Sequence, residues 1–360
     1  MTTRPRAAPP TPAVHVDLDV VRGNARVVCD RFDGSVLGVT KAVSGDQRVA
    51  GAMLDGGVDG IGDSRVRNLE RVGEHVETAR TLIVSPMRHE YDRVVAAADR
   101  SLHSELDTLE GVAEAARARD ITHEAVLMVD TGDRREGVLP AELIPTLQRA
   151  VGLSGVDVTG IGTNVGCFGG VVPTPEAMAE FVALVREAET ELGRSFPVVS
   201  GGSTVTLSLV EDGTLPDGVN ELRVGEAILL GTDVTGNREI PYLRGDAFSL
   251  RAEVIECKRK PSMPAGPQGR NVDGDAPEFE DRGVRERAIL ALGKQDVVVD
   301  DLTPLTEGVE VLGASSDHTV CDVTDAPEPL SVGDTVEFRI GYRALVQAYT
   351  SEYVGRTVTE

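Results

Sequence analysis

Eight short apolar runs alternate with segments of helical spacing between Val36 and Gly225, and this alternation constrains the fold of the 360-residue chain more than any other feature. The runs are 36–40, 60–63, 81–85, 101–104, 125–130, 158–163, 197–200 and 221–225. Each is too short for a helix and apolar enough for a strand covered on both faces. Between them lie stretches such as Glu105–Arg119 and Pro175–Leu192, with apolar residues at helical spacing and acidic outer faces. The alternation predicts an α/β fold, a (β/α)8 TIM-type barrel. A doubly wound open sheet has the same local pattern and stands as the alternative.

The pattern changes near Gly231. Strand-like stretches follow at 248–257, 288–292, 309–312, 319–323 and 335–340, broken by a Gly- and Pro-rich segment, 261–283, that reads as a long loop. The barrel is therefore expected to be followed by a C-terminal mostly-β domain. The expected divisions are a flexible tail over 1–13, a barrel domain over 14–235 and a β-domain over 236–360. A strand within 14–20 precedes the barrel and is able to pair with the second domain.

Composition narrows the function. The formal net charge of −23 opposes binding to nucleic acid or to an anionic membrane, so neither is an expected partner. No apolar run reaches the roughly 18 residues that span a bilayer. The first twelve residues carry proline where a secretion leader needs an apolar stretch, so a cytoplasmic location is expected. The acidic, Lys-poor composition with 3% aromatics suits a halophilic source, where salt screens the self-repulsion. Cys29, Cys167, Cys257 and Cys321 are far apart and read as small apolar residues rather than disulfides or zinc ligands. The six histidines show no ligand spacing, and no metal is expected.

Lys41 is the only lysine before Lys258 in a chain that otherwise uses arginine. It follows the first barrel run, at the strand end where barrels build their sites. Arginine cannot replace lysine as a deprotonated amine that forms a Schiff base. Ser200-Gly201-Gly202-Ser203-Thr204 follows the seventh run, and backbone N–H groups and two hydroxyls there can hold a phosphate. Leu222-Arg223-Val224-Gly225-Glu226-Ala227-Ile228 contains the eighth run and its exit, and barrels commonly bind phosphate after strands seven and eight.

These residues match a family. The chain resembles the fold-type III pyridoxal-phosphate enzymes of the alanine racemase group, and within it the ornithine racemase-like enzymes. The resemblance runs over about 14–354. It is carried by Gly38-Val39-Thr40-Lys41, Gly62-Asp63-Ser64-Arg65, the segment from Met128 to Gly137, Gly160-Ile161-Gly162-Thr163-Asn164 and Cys167-Phe168-Gly169-Gly170. It continues through Ser200-Gly201-Gly202, the segment from Leu222 to Gly231, and Gly313-Ala314-Ser315-Ser316-Asp317-His318. The resemblance implies that Lys41 holds pyridoxal 5'-phosphate covalently, and that Ser203, Thr204 and the backbone of Gly225 and Glu226 bind its phosphate. It implies Arg223 at the pyridine nitrogen, Arg135 near the phenolic oxygen, and Asn164 near the ring in place of a histidine.

An arginine at the ring nitrogen keeps it unprotonated and the ring a weaker electron sink, which favours simple proton exchange at Cα. The implied activity is an isomerase, an amino-acid racemase acting on ornithine or another basic amino acid. Racemisation needs an acid or base on each face of the substrate. Lys41 serves one face; alanine racemases supply a partner-subunit Tyr for the other, where this chain has Ser262-Met263-Pro264. His318 and Asp317 are the candidates for that role, with Ser316 and Cys257 behind them. Asp317 also stands where related decarboxylases hold a substrate's distal amine, so Asp317, with Asp296 and Ser316, is the expected substrate-binding set. Shared active sites in a homodimer are implied. Two alternatives remain: a fold-type III decarboxylase, against which Arg223 and Ser316 argue, and a non-catalytic pyridoxal-phosphate homeostasis protein, which resembles only the barrel. The resembled family places a tyrosine near this end of the chain, where Tyr342, Tyr349 and Tyr353 stand, and the residues leave open whether any of them reaches the phosphate.

Overall fold

The computed structural model describes residues 11–271 and 274–359. Most of the expected tail, residues 1–10, lies outside the described residues; Ala13 already belongs to the first strand, β1 (Ala13–Asp17). The chain forms two compact units. One contains 18–245; the other joins the residues up to Asp17 to those from Asp246 onward.

The larger unit is a closed barrel of eight parallel strands. They are β2 (Ser35–Val39), β3 (Gly60–Asp63), β4 (Ala79–Leu82), β5 (Arg100–His103), β6 (His123–Val129), β7 (Val156–Thr163), β8 (Val198–Ser200) and β9 (Glu221–Val224). The β2–β9 pairing, Leu37 opposite Arg223, closes the ring. The helices are α1 (Leu18–Cys29), α2 (Gln47–Asp55), α3 (Val66–Gly73), α4 (Tyr91–Ala97), α5 (Leu106–Ala118), α6 (Leu143–Ala150), α7 (Pro175–Leu192), α8 (Leu207–Glu211) and α9 (Glu226–Leu230). Their apolar stripes face inward: α5 buries Leu109, Val112, Ala113 and Ala116. The Thr174 side chain caps α7 by accepting from Ala177 N–H, Pro175 opens the helix, and Gly193 ends it in the left-handed region.

The division falls after the expected 235. A short hairpin, β10 (Thr232–Asp233) with β11 (Arg238–Glu239), stays with the barrel, and Ile240 N–H bonds Gly231 O. Buried Asn24 on α1 then holds Arg244 through both its N–H and its carbonyl.

The second unit is an antiparallel sheet with the order β14-β17-β12-β13-β16-β15. Its strands are β12 (Phe248–Pro261), β13 (Val284–Leu290), β14 (Leu302–Pro304), β15 (Glu310–Ala314), β16 (Thr319–Asp322), β17 (Thr335–Ile340) and β18 (Gly355–Thr359). β1 joins this sheet, antiparallel to β12 and parallel to β18. The segment after Pro261 is the connection of the β12–β13 hairpin. Helix α10 (Tyr342–Thr350) is capped by Asp301, whose carboxylate accepts from Arg343 N–H at 2.9 Å and Ala344 N–H at 3.1 Å.

Candidate active site

Parallel strands leave all their carboxyl ends at one mouth, and the segments after β2, β6, β7, β8 and β9 bring polar groups there. After β2 the chain makes a tight turn over Lys41–Val43, then passes through Ser44 and Gly45 in the left-handed region. Gly45 is required: a Cβ there would lie 2.8 Å from Asn68 Cβ. Thr40, just before Lys41, donates to buried Asp63 at 2.8 Å, and Asp63 also accepts from Asn68 at 2.9 Å and Arg65 N–H at 3.0 Å. The residue preceding Lys41 is thus pinned to β3. Lys41 itself is exposed, while Thr40 before it and Ala42 and Val43 after it are buried. Burial lowers the Lys41 pKa; Cys167 opposes that shift, and Arg135 adds to it.

The loop after β6 folds on Asp130, which accepts from Gly132 N–H at 2.9 Å and Arg134 N–H at 3.1 Å. Arg135 leaves this loop toward Glu136, with an N–H···O distance of 3.2 Å, and lies 3.8 Å from Asp133. Buried Asp133 caps the loop after β7, accepting from the N–H groups of Cys167 (3.3 Å), Phe168 (2.9 Å) and Gly169 (3.0 Å).

After β8, Gly202 has φ +118° and faces Thr206 so closely that a Cβ would meet its hydroxyl at 2.5 Å. Ser203 then leads into a helical turn at Thr204–Thr206. Gly225 leads into α9. Thr204 Oγ1 accepts from Ala227 N–H, binding the two turns together. First-turn N–H groups have no partner within their own helix, so the two turns form a donor-rich cradle with no added side chain at Gly202. The Glu226 side chain turns aside: one oxygen accepts from Thr232 Oγ1 and Val234 N–H, both at 2.8 Å. Burial raises its pKa.

Arg223 is 4% exposed. It donates to Ser200 Oγ, to Thr163 O at 2.8 Å and to Asn164 Oδ1 at 3.3 Å. Desolvation lowers its pKa to about 10, with Glu221 working against that shift, so it is cationic at neutral pH. Asn164, expected beside a ring, is also a partner of this guanidinium. The sequence reading passed over Ser200 and Glu221 as members of this network. The available signal was a carboxylate two residues before Arg223 on one strand, hence on the same side.

A lysine amine, a buried cation, a second cation and a pair of turns with free first-turn N–H groups fit the donor set that pyridoxal phosphate requires. Lys41, Arg135, Asn164, Ser203, Thr204, Arg223, Gly225 and Glu226 all belong to this one unit.

The remaining expected residues gather in the second unit. Ser316, Asp317 and His318 are exposed on the β15–β16 turn. That turn is laced to the segment 293–296 by Gln295 N–H to Ser316 O at 3.1 Å and Gln295 Nε2 to Asp317 at 2.8 Å. Asp296 is buried and engaged, accepting from Ser351 Oγ at 3.1 Å and Gly293 N–H at 3.3 Å. Cys257 is half-buried on β12. Tyr349 is a core residue stacked edge-on against Phe248. Tyr353 is 73% exposed, and Tyr342 opens α10.

Comparison with known proteins agrees with this geometry. The family model for the alanine racemase N-terminal domain matches residues 16–233. An ornithine racemase of Acetoanaerobium sticklandii is 37% identical over 95% of this chain and 98% of its own length. A lysine racemase of Thermotoga maritima is 40% identical over 95% of this chain and 97% of its own. An alanine racemase structure from D-cycloserine-producing Streptomyces lavendulae superposes with a TM-score of 0.77 at 20% identity, covering 98% of each chain, a likeness of fold. With its barrel, its mouth and two near-full-length relatives in agreement, the chain belongs to the family built on the alanine racemase N-terminal domain.

Proposed function

We propose that this protein is a pyridoxal-phosphate-dependent racemase of a basic amino acid, ornithine or lysine. The observation that carries the reading is Arg223, a buried cation held by Ser200, Thr163 and Asn164 on the barrel that also carries Lys41. The names of the relatives, an ornithine and a lysine racemase, support the substrate class.

When bound, pyridoxal phosphate supplies a conjugated acceptor for the electron pair left when Cα loses its proton. Lys41 would hold it through its side-chain amine, whose pKa is lowered by desolvation. Once free, the same amine takes or returns the Cα proton on one face. Arg223 carries only donors, so beside the ring nitrogen it would donate and disfavour protonation there. That restrains competing decarboxylation. Ser203, Thr204 and the first-turn amides at Gly225 and Glu226 would hold the phosphate, and Arg135 would serve the phenolic oxygen.

We assign the opposite face to His318 or Asp317, reached across a homodimer with shared sites. The barrel's mouth loops expose Met87, Leu139, Phe168, Val172 and Val234, apolar groups that a second copy would cover. Asp317 supplies a negative charge for a substrate's distal amine, Ser316 lies beside it, and Asp296 assists by fixing the neighbouring loop. All four cysteines are free, which suits the cytoplasm. Among the described residues no helix is long and apolar enough to cross a membrane.

Chiral chromatography of L-ornithine, L-lysine and L-alanine tests the reading. Conversion to the racemate of the two basic amino acids, absent in Lys41→Ala, is expected. Loss of amino acid with release of CO2 would identify a decarboxylase, and cofactor binding without turnover a homeostasis protein.

A further inference from the structure

The geometry points to Glu221 as a positioning residue for Arg223, acting through the hydroxyl of Ser200. It rests on the racemase reading above. Glu221 and Arg223 are two apart on β9 and so face the same side of the strand. Glu221, Ser200 and Arg223 are 4%, 1% and 4% exposed, away from competing water.

The direction of the hydrogen bonds is forced. A guanidinium has no acceptor, and an ionised carboxylate has no donor. The single Ser200 proton therefore goes to Glu221, at 2.7 Å, and a lone pair of the same oxygen receives Arg223. The other Glu221 oxygen accepts from Arg100, buried on β5. One carboxylate thus stands between two buried guanidinium groups that would otherwise repel each other.

Three of the five Arg223 N–H groups are engaged by Ser200, Thr163 and Asn164. The Nε–H and one Nη1–H remain for a ring nitrogen. Glu221 fixes which ones remain by fixing the hydroxyl that takes the first. Without it, Ser200 is free to rotate, Arg100 loses its partner, and Arg223 loses the charge that favours its cationic form.

A loosened Arg223 lets the ring nitrogen take up a proton and become a stronger electron sink. Side chemistry then rises relative to racemisation. In that side reaction the substrate's amino group passes to the cofactor, and water releases the 2-oxo acid.

The test compares wild type, Ser200→Ala, Ser200→Thr and Glu221→Gln. Three quantities are read: 2-oxo acid formed per racemisation event, cofactor affinity of the apo-protein by absorbance titration, and apo-protein melting temperature. Ser200→Ala should raise the side-product ratio and weaken cofactor affinity by about tenfold, the scale of one hydrogen bond to a charged group, with melting little changed. Ser200→Thr keeps the hydroxyl and should restore both. Glu221→Gln should act in the same direction; if it melts early, Ser200→Ala alone decides. A lower turnover number with an unchanged ratio and affinity would show a merely structural role and overturn the proposal. A wild type that neither binds cofactor nor racemises would instead overturn the reading beneath it.

Discussion

The hydroxyl of Thr204 accepts a hydrogen bond from the backbone N–H of Ala227 at 3.2 Å, tying the turn after β8 to the first turn of α9. Two donor-rich turns are held at fixed spacing by one side chain. Thr204→Val removes that acceptor at nearly constant volume and leaves the Ala227 N–H buried without it. Cofactor affinity should fall by about tenfold while the fold persists, measured by absorbance titration alongside a thermal melt. Unchanged affinity would mean that the phosphate does not sit in this cradle.

Desolvation lowers the Lys41 pKa, with Arg135 and Arg223 adding to the shift and Cys167 and Asp63 opposing it. Arg135→Gln removes one of the groups that lowers its pKa. The pH at which Lys41 reacts with an aldehyde reagent should therefore move upward. The reaction rate should fall most near neutral pH, followed by mass spectrometry of the labelled peptide. Wild-type Lys41 should also label faster than Lys258, Lys260 and Lys294.

A buried pair of histidines sets the acid limit of the fold. Ser101 Oγ lies 2.8 Å from both His103 Nε2 and His123 Nε2 inside the barrel. Desolvation lowers His103 to about 3 and His123 to about 4. The unfolded chain binds these protons near pH 6.5, so below that pH it holds more protons than the folded chain. Stability is complete above about 6.5 and falls as the pH drops toward 4, by up to about tenfold in the folding constant per histidine per pH unit. Melting curves between pH 7 and 4 check this, and His103→Gln should flatten the decline.

The acidic surface gives a second stability lever. A net charge of −23 is self-repelling at low ionic strength and screened in high salt. The melting temperature should rise with KCl into the molar range. A flat or falling curve would remove the halophilic reading.

The barrel was legible because each strand is a short apolar run with its own helix. The third expected run, 81–85, is displaced: β4 is Ala79–Leu82 and begins with an exposed alanine and a half-buried arginine, which hydropathy does not mark as strand. β14 and β18 escaped notice for a different reason. β14 is only three residues long and ends in a proline, and β18 pairs with β1 from the other end of the chain. The residues proposed to hold the cofactor lie in segments with a strong local signal. The Arg100–Glu221–Ser200–Arg223 network has none, since its members come from three strands and meet only when the barrel closes. The role of Asp133 was hidden likewise, because its partners at Cys167–Gly169 belong to another loop.

The central claim is proton exchange at Cα without loss of the amino acid. It is tested most directly by incubating the cofactor-loaded protein with L-ornithine in D2O and following Cα by NMR and enantiomeric excess by chiral chromatography. Deuterium at Cα in both enantiomers, enantiomeric excess decaying to zero, constant total ornithine and no exchange with Lys41→Ala are expected. Retention of the Cα proton in the wild type, or disappearance of ornithine with evolution of CO2, would contradict it.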